Sequence, residues 1–307
     1  MPKSNVGGIQ IEYDCFGDDN AEVLLLISGL DTQMIRWTES FCQILSNQGY
    51  RVIRFDNRDA GLSSHFDSAG TPDLQSIAHT ASRGETPDVP YTLLDMADDA
   101  VGLLDSLGIK RAHLVGRSMG GMIAQLLASE YPDRVLSLTA IMSSTGNREL
   151  PQSSPAIMAA MTRPAPNPFS DENGYLVHSC DFNRAIAGQR YSFDEKAHRD
   201  QALIEVKRAW NPAAFWRQIA AIAATGDLRA RIASITAPTL VVHGSDDPLV
   251  PPAAGKDIAT HIEGAELLIL EGMGHALPSP LYETVVNAIV RNARRSLKTA
   301  YSGEKNE

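Results

Sequence analysis

The chain has 307 residues with 37 Asp and Glu against 27 Lys and Arg, a formal charge of -10. It therefore lacks the basic footprint that nucleic acid or an anionic membrane surface requires. With 43% hydrophobic and 21% charged residues, it has the composition of one large globular domain, or of one carrying an insertion, and not of a disordered or coiled-coil chain. Cys15, Cys42 and Cys180 are odd in number and widely spaced, with no Cys-x-x-Cys pair. That pattern argues against a disulfide framework or a zinc cage and for a reducing compartment. The opening MPKSNVGGIQ holds no apolar leader, and no apolar run reaches the about 18 residues of a membrane helix, so a cytoplasmic location is expected.

Along the chain, short β-rich runs alternate with helical patterns, as they do where crossover units build a mostly parallel sheet. The runs are IQIEYDCF (9–16), VLLLIS (23–28), RVIRFD (51–56), AHLVG (112–116), VLSLTAIM (135–142), TLVVHG (239–244) and ELLILEG (266–272). Those from residue 23 onward read as strands buried on both faces. Between them Trp37, Phe41, Ile44 and Leu45 share one helical face, as do Leu93, Ala97, Val101 and Leu104. Thr92 and Asp95 have capping-box spacing, and Asp98, Asp99 and Asp105 read as facing water. The final helix repeats the pattern with Val285, Ile289, Ala293 and Leu297. Arg291, Arg294, Arg295 and Lys298 gather toward its C-terminal half, where the helix dipole favours positive charge.

Residues 144–236 break this alternation with Pro-rich stretches (LPQSSP, TRPAPNPF) and helical ones (QALIEVKRAW, AAFWRQIAAIAA), and with no strand pattern. They read as a helical cap inserted into a core domain made of 1–143 and 237–307.

Chemistry is concentrated at Gly116-Arg117-Ser118-Met119-Gly120, a G-x-S-x-G match that chance would supply about 0.1 times in such a chain. A β-rich run ends at Gly116 and a helix pattern begins at once. A turn this sharp strains its central residue and leaves the serine Oγ exposed beside a helix N-terminus. A serine hydroxyl is a poor nucleophile until a base takes its proton, and the base needs a third group to hold its tautomer. In chain order the acid and then the histidine should follow, on loops at the ends of later strands. TLVVHG leads into Ser245-Asp246-Asp247-Pro248, and ELLILEG leads into Met273-Gly274-His275. Asp247 and His275 are the candidates, with Asp246 second to Asp247. His113 and His243 lie inside β-rich runs and read as packed core residues. The backbone N–H groups of Leu30 and Met119 are the expected oxyanion donors.

These stretches together resemble the α/β-hydrolase superfamily over about residues 9–143 and 237–297. YTLLDMADDAVGLLDSLGIKRAHLVGRSMGGMIAQ is similar to its helix, strand and nucleophile elbow, HGSDDPLVP to its acid loop and GMGHALP to its histidine loop. FDNRDAGLSS (55–64) together with GMGHALPS most resembles aclacinomycin methylesterase-type carboxylesterases. The resemblance implies an α/β fold with a helical cap, a Ser118–His275–Asp247 triad and ester hydrolysis through an acyl-enzyme, without metal or cofactor. Two positions depart from the pattern: Ser28 stands where many relatives have histidine, and Asp59 where they have glycine. Asp56, Arg58 and Asp59 read as a charged structural turn.

The expected substrate is a small to medium carboxylic ester, with Leu249 and Leu277 as wall residues. Cap residues Met158, Met161, Phe169, Tyr175, Phe182, Trp210, Phe215 and Trp216 offer apolar area for the pocket or for packing. The same three side chains could serve a perhydrolase, a cofactor-free haloperoxidase or a C–C bond hydrolase. From a different class, the fold could host a non-catalytic small-molecule receptor. Neither a nucleic-acid partner nor a membrane is expected, and the sequence leaves the oligomeric state open.

Overall fold

In the computed structural model, which describes residues 1–296, eight strands form one sheet. They are β1 (Lys3–Val6), β2 (Ile9–Phe16), β3 (Val23–Ile27), β4 (Arg51–Phe55), β5 (Ala112–Arg117), β6 (Val135–Ile141), β7 (Thr239–Gly244) and β8 (Glu266–Leu270). The spatial order is β1-β2-β4-β3-β5-β6-β7-β8, with the β1–β2 and β2–β4 pairings antiparallel and the other five parallel. The α/β architecture with a mostly parallel sheet follows from the β-branched and leucine-rich runs. Strands covered on both faces need no polar alternation.

The side chains of the central strands divide between two apolar clusters. Leu25 and Ile27 of β3 and Leu114 of β5 pack on one face with helices α3 (Leu93–Ser106) and α4 (Met119–Glu130). Leu24, Leu26 and Val115 pack on the other with α1 (Glu39–Ser46) and the last helix, Tyr282–Ala293. Leu93, Ala97, Val101 and Leu104 are buried on one face of α3, whose start carries the predicted capping box of Thr92 and Asp95. Trp37 is buried beside Phe41 and Leu45 but precedes α1, which Thr38 caps.

Two expectations and one omission need amendment. β1 has no apolar pattern because it is a short, mostly exposed edge strand held by pairing to β2. β8 is not buried on both faces: it is the opposite edge of the sheet, with Glu266 and Leu267 exposed. Asp99 does not face water, because it is buried and accepts two hydrogen bonds from Arg58, at 2.6 and 2.8 Å. Leu297 and Lys298 lie outside the described residues.

Between β6 and β7 the chain forms α5 (Pro155–Thr162), α6 (Glu172–Ile186), α7 (Glu195–Arg208), α8 (Pro212–Thr225) and the short α9 (Arg229–Ile232), with no strand. The remaining helices are α2 (Leu74–Ser82), α10 (Pro252–His261) and α11, the Tyr282–Ala293 helix. Among the described residues no helix is long and apolar enough to cross a membrane.

The turn after β4 is where α7 and α8 attach. Asp56 meets Arg208 of α7 at 2.6 Å, and Asp59 takes Arg217 of α8 in a two-pronged pair at 2.7 and 2.8 Å. Tyr91 adds a hydrogen bond to Asp59 at 2.6 Å, and Asp59 sits at φ 62°, a conformation that glycine adopts without strain.

Candidate active site

Ser118 is the single residue between the last residue of β5 and the first of α4, at φ 53° and ψ -123°. Such a conformation costs a non-glycine residue about 1–3 kcal/mol and persists only where its surroundings over-determine it. Here the Ser118 N–H donates to the Ile141 carbonyl (2.9 Å), while its own carbonyl accepts from Gly121 N–H (2.9 Å) and the Ser143 hydroxyl (2.8 Å). The flanking glycines allow the approach. A Cβ on Gly116 would run into the Gly120 carbonyl oxygen, and one on Gly120 into the carbonyl oxygens of Ile27 and Ser28.

The loops after β7 and β8 bring Asp247 and His275 to this elbow. His275 Nε2 lies 3.0 Å from Ser118 Oγ, and Nδ1 lies 2.7 Å from Asp247 Oδ2. The other Asp247 oxygen accepts from the N–H groups of Leu249 (3.0 Å) and Val250 (2.8 Å), which fixes the carboxylate plane. Asp247 is buried, whereas Asp246 is exposed and takes only the Ser245 hydroxyl, at 2.8 Å. Behind them His243 is fully buried and donates from Nε2 to the Val250 carbonyl at 2.8 Å. Burial holds its pKa below the ordinary histidine value, so it clamps the acid loop as a neutral ring. His113 is likewise a core residue, bonded to Ser137 at 2.9 Å. The backbone N–H of His275 donates to the Ile186 carbonyl at 2.6 Å, and that of Gly274 to the Ala187 carbonyl at 3.2 Å, so the end of α6 holds the histidine loop.

A cavity of about 710 Å³ opens on Ser118 and His275 between the sheet's loops and α5–α8. Leu30, Leu249 and Leu277 line it, as do Met161, Tyr175, Phe182, Trp210, Phe215 and Trp216. Met158 and Phe169 do not, and are exposed. Among the described residues the amides of Leu30 and Met119 have no protein acceptor. Among the described residues the four non-glycine ones with positive φ, Asp31, Asp59, Ser118 and Met142, all line this cavity. Backbone strain among the described residues is thus gathered around the cavity onto which Ser118 and His275 open.

The polar side of the cavity was not foreseen. Arg36 forms a two-pronged pair with Glu205 of α7, and His198 bonds the Ser179 hydroxyl at 2.9 Å. Burial and the neighbouring Arg36 cation push His198 down to about 4. Asp31 is pushed up to about 7 by desolvation and by Glu205. Arg36 and Glu205 are 169 positions apart, and no sequence spacing links them.

A family model described as the alpha/beta hydrolase fold matches residues 22–278, and the chain belongs to that family. Rhodomycin D methylesterase DauP of Streptomyces sp. (strain C5) is 29% identical over 297 residues, covering 91% of this chain and 93% of that protein. A 2-hydroxy-6-oxononadienedioate/2-hydroxy-6-oxononatrienedioate hydrolase of Burkholderia vietnamiensis is 28% identical over 275 residues, covering 87% of this chain and 85% of that protein. Among solved structures, the enol-lactonase from Burkholderia xenovorans LB400 shares the fold at a TM-score of 0.70 and 23% identity, covering 95% of this chain and 99% of that one.

Proposed function

We propose that the protein is a serine carboxylesterase in which Ser118 is the nucleophile, His275 the general base and acid, and Asp247 the group that orients the imidazole. The observation that carries this reading is the unbroken line from Asp247 through His275 to a strained serine, at 2.7 and 3.0 Å. With Nδ1–H given to the carboxylate, Nε2 offers its lone pair to the Ser118 hydroxyl. Attack on an ester carbonyl then moves the serine proton to Nε2. The charge that develops on oxygen meets the Leu30 and Met119 amides, each contributing about 2.7–4 kcal/mol. Nε2–H protonates the leaving alcohol, an acyl group remains on Ser118, and water deprotonated by His275 releases the acid. These side chains and water account for every proton.

In this reading the helices of 144–236 cap the core, and Leu249 and Leu277 are wall contacts for a small to medium ester. The similarity to a methylesterase favours ester chemistry. Ser118→Ala should lower kcat for p-nitrophenyl butyrate by about 10⁴-fold or more. A variant that keeps a tenth of the rate overturns the assignment. Labelling of the wild-type serine by a fluorophosphonate separates an enzyme from a binding protein on the same fold.

A further inference from the structure

Among the described residues three arginines line the cavity. Arg36 pairs with Glu205, and Arg163 is exposed and donates to His178 Nδ1 at 3.2 Å. Arg117 immediately precedes Ser118 and lines the same cavity, yet it has no carboxylate partner among the described residues. Its guanidinium lies over the Trp37 ring, 5.0 Å from the centroid, and makes one long contact of 3.4 Å to the Arg36 carbonyl. Burial and the Arg36 cation lower its pKa to about 10, so it remains charged at neutral pH. The nearby acid is not available to it, because Glu205 is occupied by Arg36. In the same corner the buried Trp37 Nε1 has no acceptor.

A planar fork of donors left without an acceptor beside a nucleophile is complementary to a carboxylate arriving with the substrate. We infer that Arg117 is a specificity residue that binds a free carboxylate on the substrate, so that the preferred esters are anionic, such as monoesters of dicarboxylic acids. This rests on the reading of Ser118 as nucleophile. It goes further by naming the charge of the molecule that the serine attacks.

The test compares kcat/KM within matched pairs. Mono-p-nitrophenyl adipate is set against its neutral methyl-ended diester for a carboxylate on the acyl side, and 4-carboxyphenyl acetate against 4-carbamoylphenyl acetate for one on the alcohol side. The anionic member of at least one pair should be preferred by about 10- to 100-fold. Arg117→Gln should collapse that ratio, and Arg117→Lys, which keeps the charge but not the fork, should retain part of it. Ratios within threefold of unity in the wild type, or a preference that survives Arg117→Gln, overturn the proposal. Circular dichroism checks folding of each variant. Should Arg117→Gln not fold, calorimetry on the wild type decides, with adipate expected to bind and adipamide not. That measurement also separates the two readings: adipate binding that Arg117→Lys weakens, in a protein that cleaves no ester, removes the esterase assignment and leaves the anion site.

Discussion

The two walls of the cavity are built by different physics. On the sheet side Ser118 and Asp247 are held by hydrogen bonds to backbone groups within a few residues of strand ends, and His275 by backbone bonds of the loop after β8. On the helical side the attachments are mostly side-chain ion pairs between distant segments: Arg36 with Glu205, Asp56 with Arg208 and Asp59 with Arg217. Backbone bonds in tight loops fix atoms to a fraction of an ångström, which proton transfer between hydroxyl and imidazole requires. Ion pairs tolerate more variation in position but respond to charge and pH. One element crosses the divide, since the Ile186 and Ala187 carbonyls at the end of α6 take the His275 and Gly274 amides.

If that division holds, substitutions on the sheet side should cost rate without stability, and those on the helical side stability first. The largest effect is expected from Asp247→Asn. Its Oδ1 can still accept from the Leu249 and Val250 amides, so the loop should stay folded. An amide facing His275 Nδ1 favours the wrong tautomer, and kcat should fall about 10⁴-fold with the melting temperature nearly unchanged. A large drop in melting temperature would mean that the carboxylate braces the fold and would blur the comparison.

Next in size is Arg217→Leu. Both members of its pair with Asp59 are fully buried, and removing the cation strands a carboxylate that keeps the Tyr91 hydroxyl and the Phe66 N–H. Urea unfolding should report a loss of about 3–5 kcal/mol, with part recovered when Asp59→Asn is added. A single variant as stable as the parent would show that water reaches Asp59 and that the helical wall is not anchored there.

The same division governs what the sequence made legible. The elbow could be read because Gly116 and Gly120 flank the serine at a spacing that strand-to-helix geometry enforces. Asp247 and His275 follow because each comes just after an apolar strand run. The sheet was legible for a similar reason, with the failures at its edges: β1 and β8 depend on pairing rather than burial. Asp99 was misread because the α3 pattern shows which positions are apolar but not that Arg58, 41 positions away, reaches over to pair with one of its acids. The helical wall was opaque for that reason throughout. Its paired residues are 152 to 169 positions apart, and any acid on a surface helix resembles any other until the fold brings a cation to it.

Asp31 tests the finer point that the polar side of the cavity responds to pH. The loop after β3 holds it at φ 50°, with its N–H on Gln218 Oε1 at 2.8 Å, and its carboxyl is raised from 3.8 to about 7 by desolvation and by Glu205. A folded-state pKa above the unfolded one means that the native protein binds the extra proton between about pH 4 and pH 7. The stabilisation linked to that proton is full below pH 4 and is lost as pH rises through 7. Asparagine tolerates positive φ, keeps the backbone bond and does not titrate. The melting temperature of Asp31→Asn minus that of the wild type should therefore be near its minimum at pH 4, climb through pH 7 and level off above it. Because Asp31 is an exposed residue of the cavity lining, the climb should be modest. A difference that stays flat from pH 4 to 9 would show that Asp31 ionises as an ordinary surface acid, and that Arg36 and Glu205 impose no charge preference on this wall.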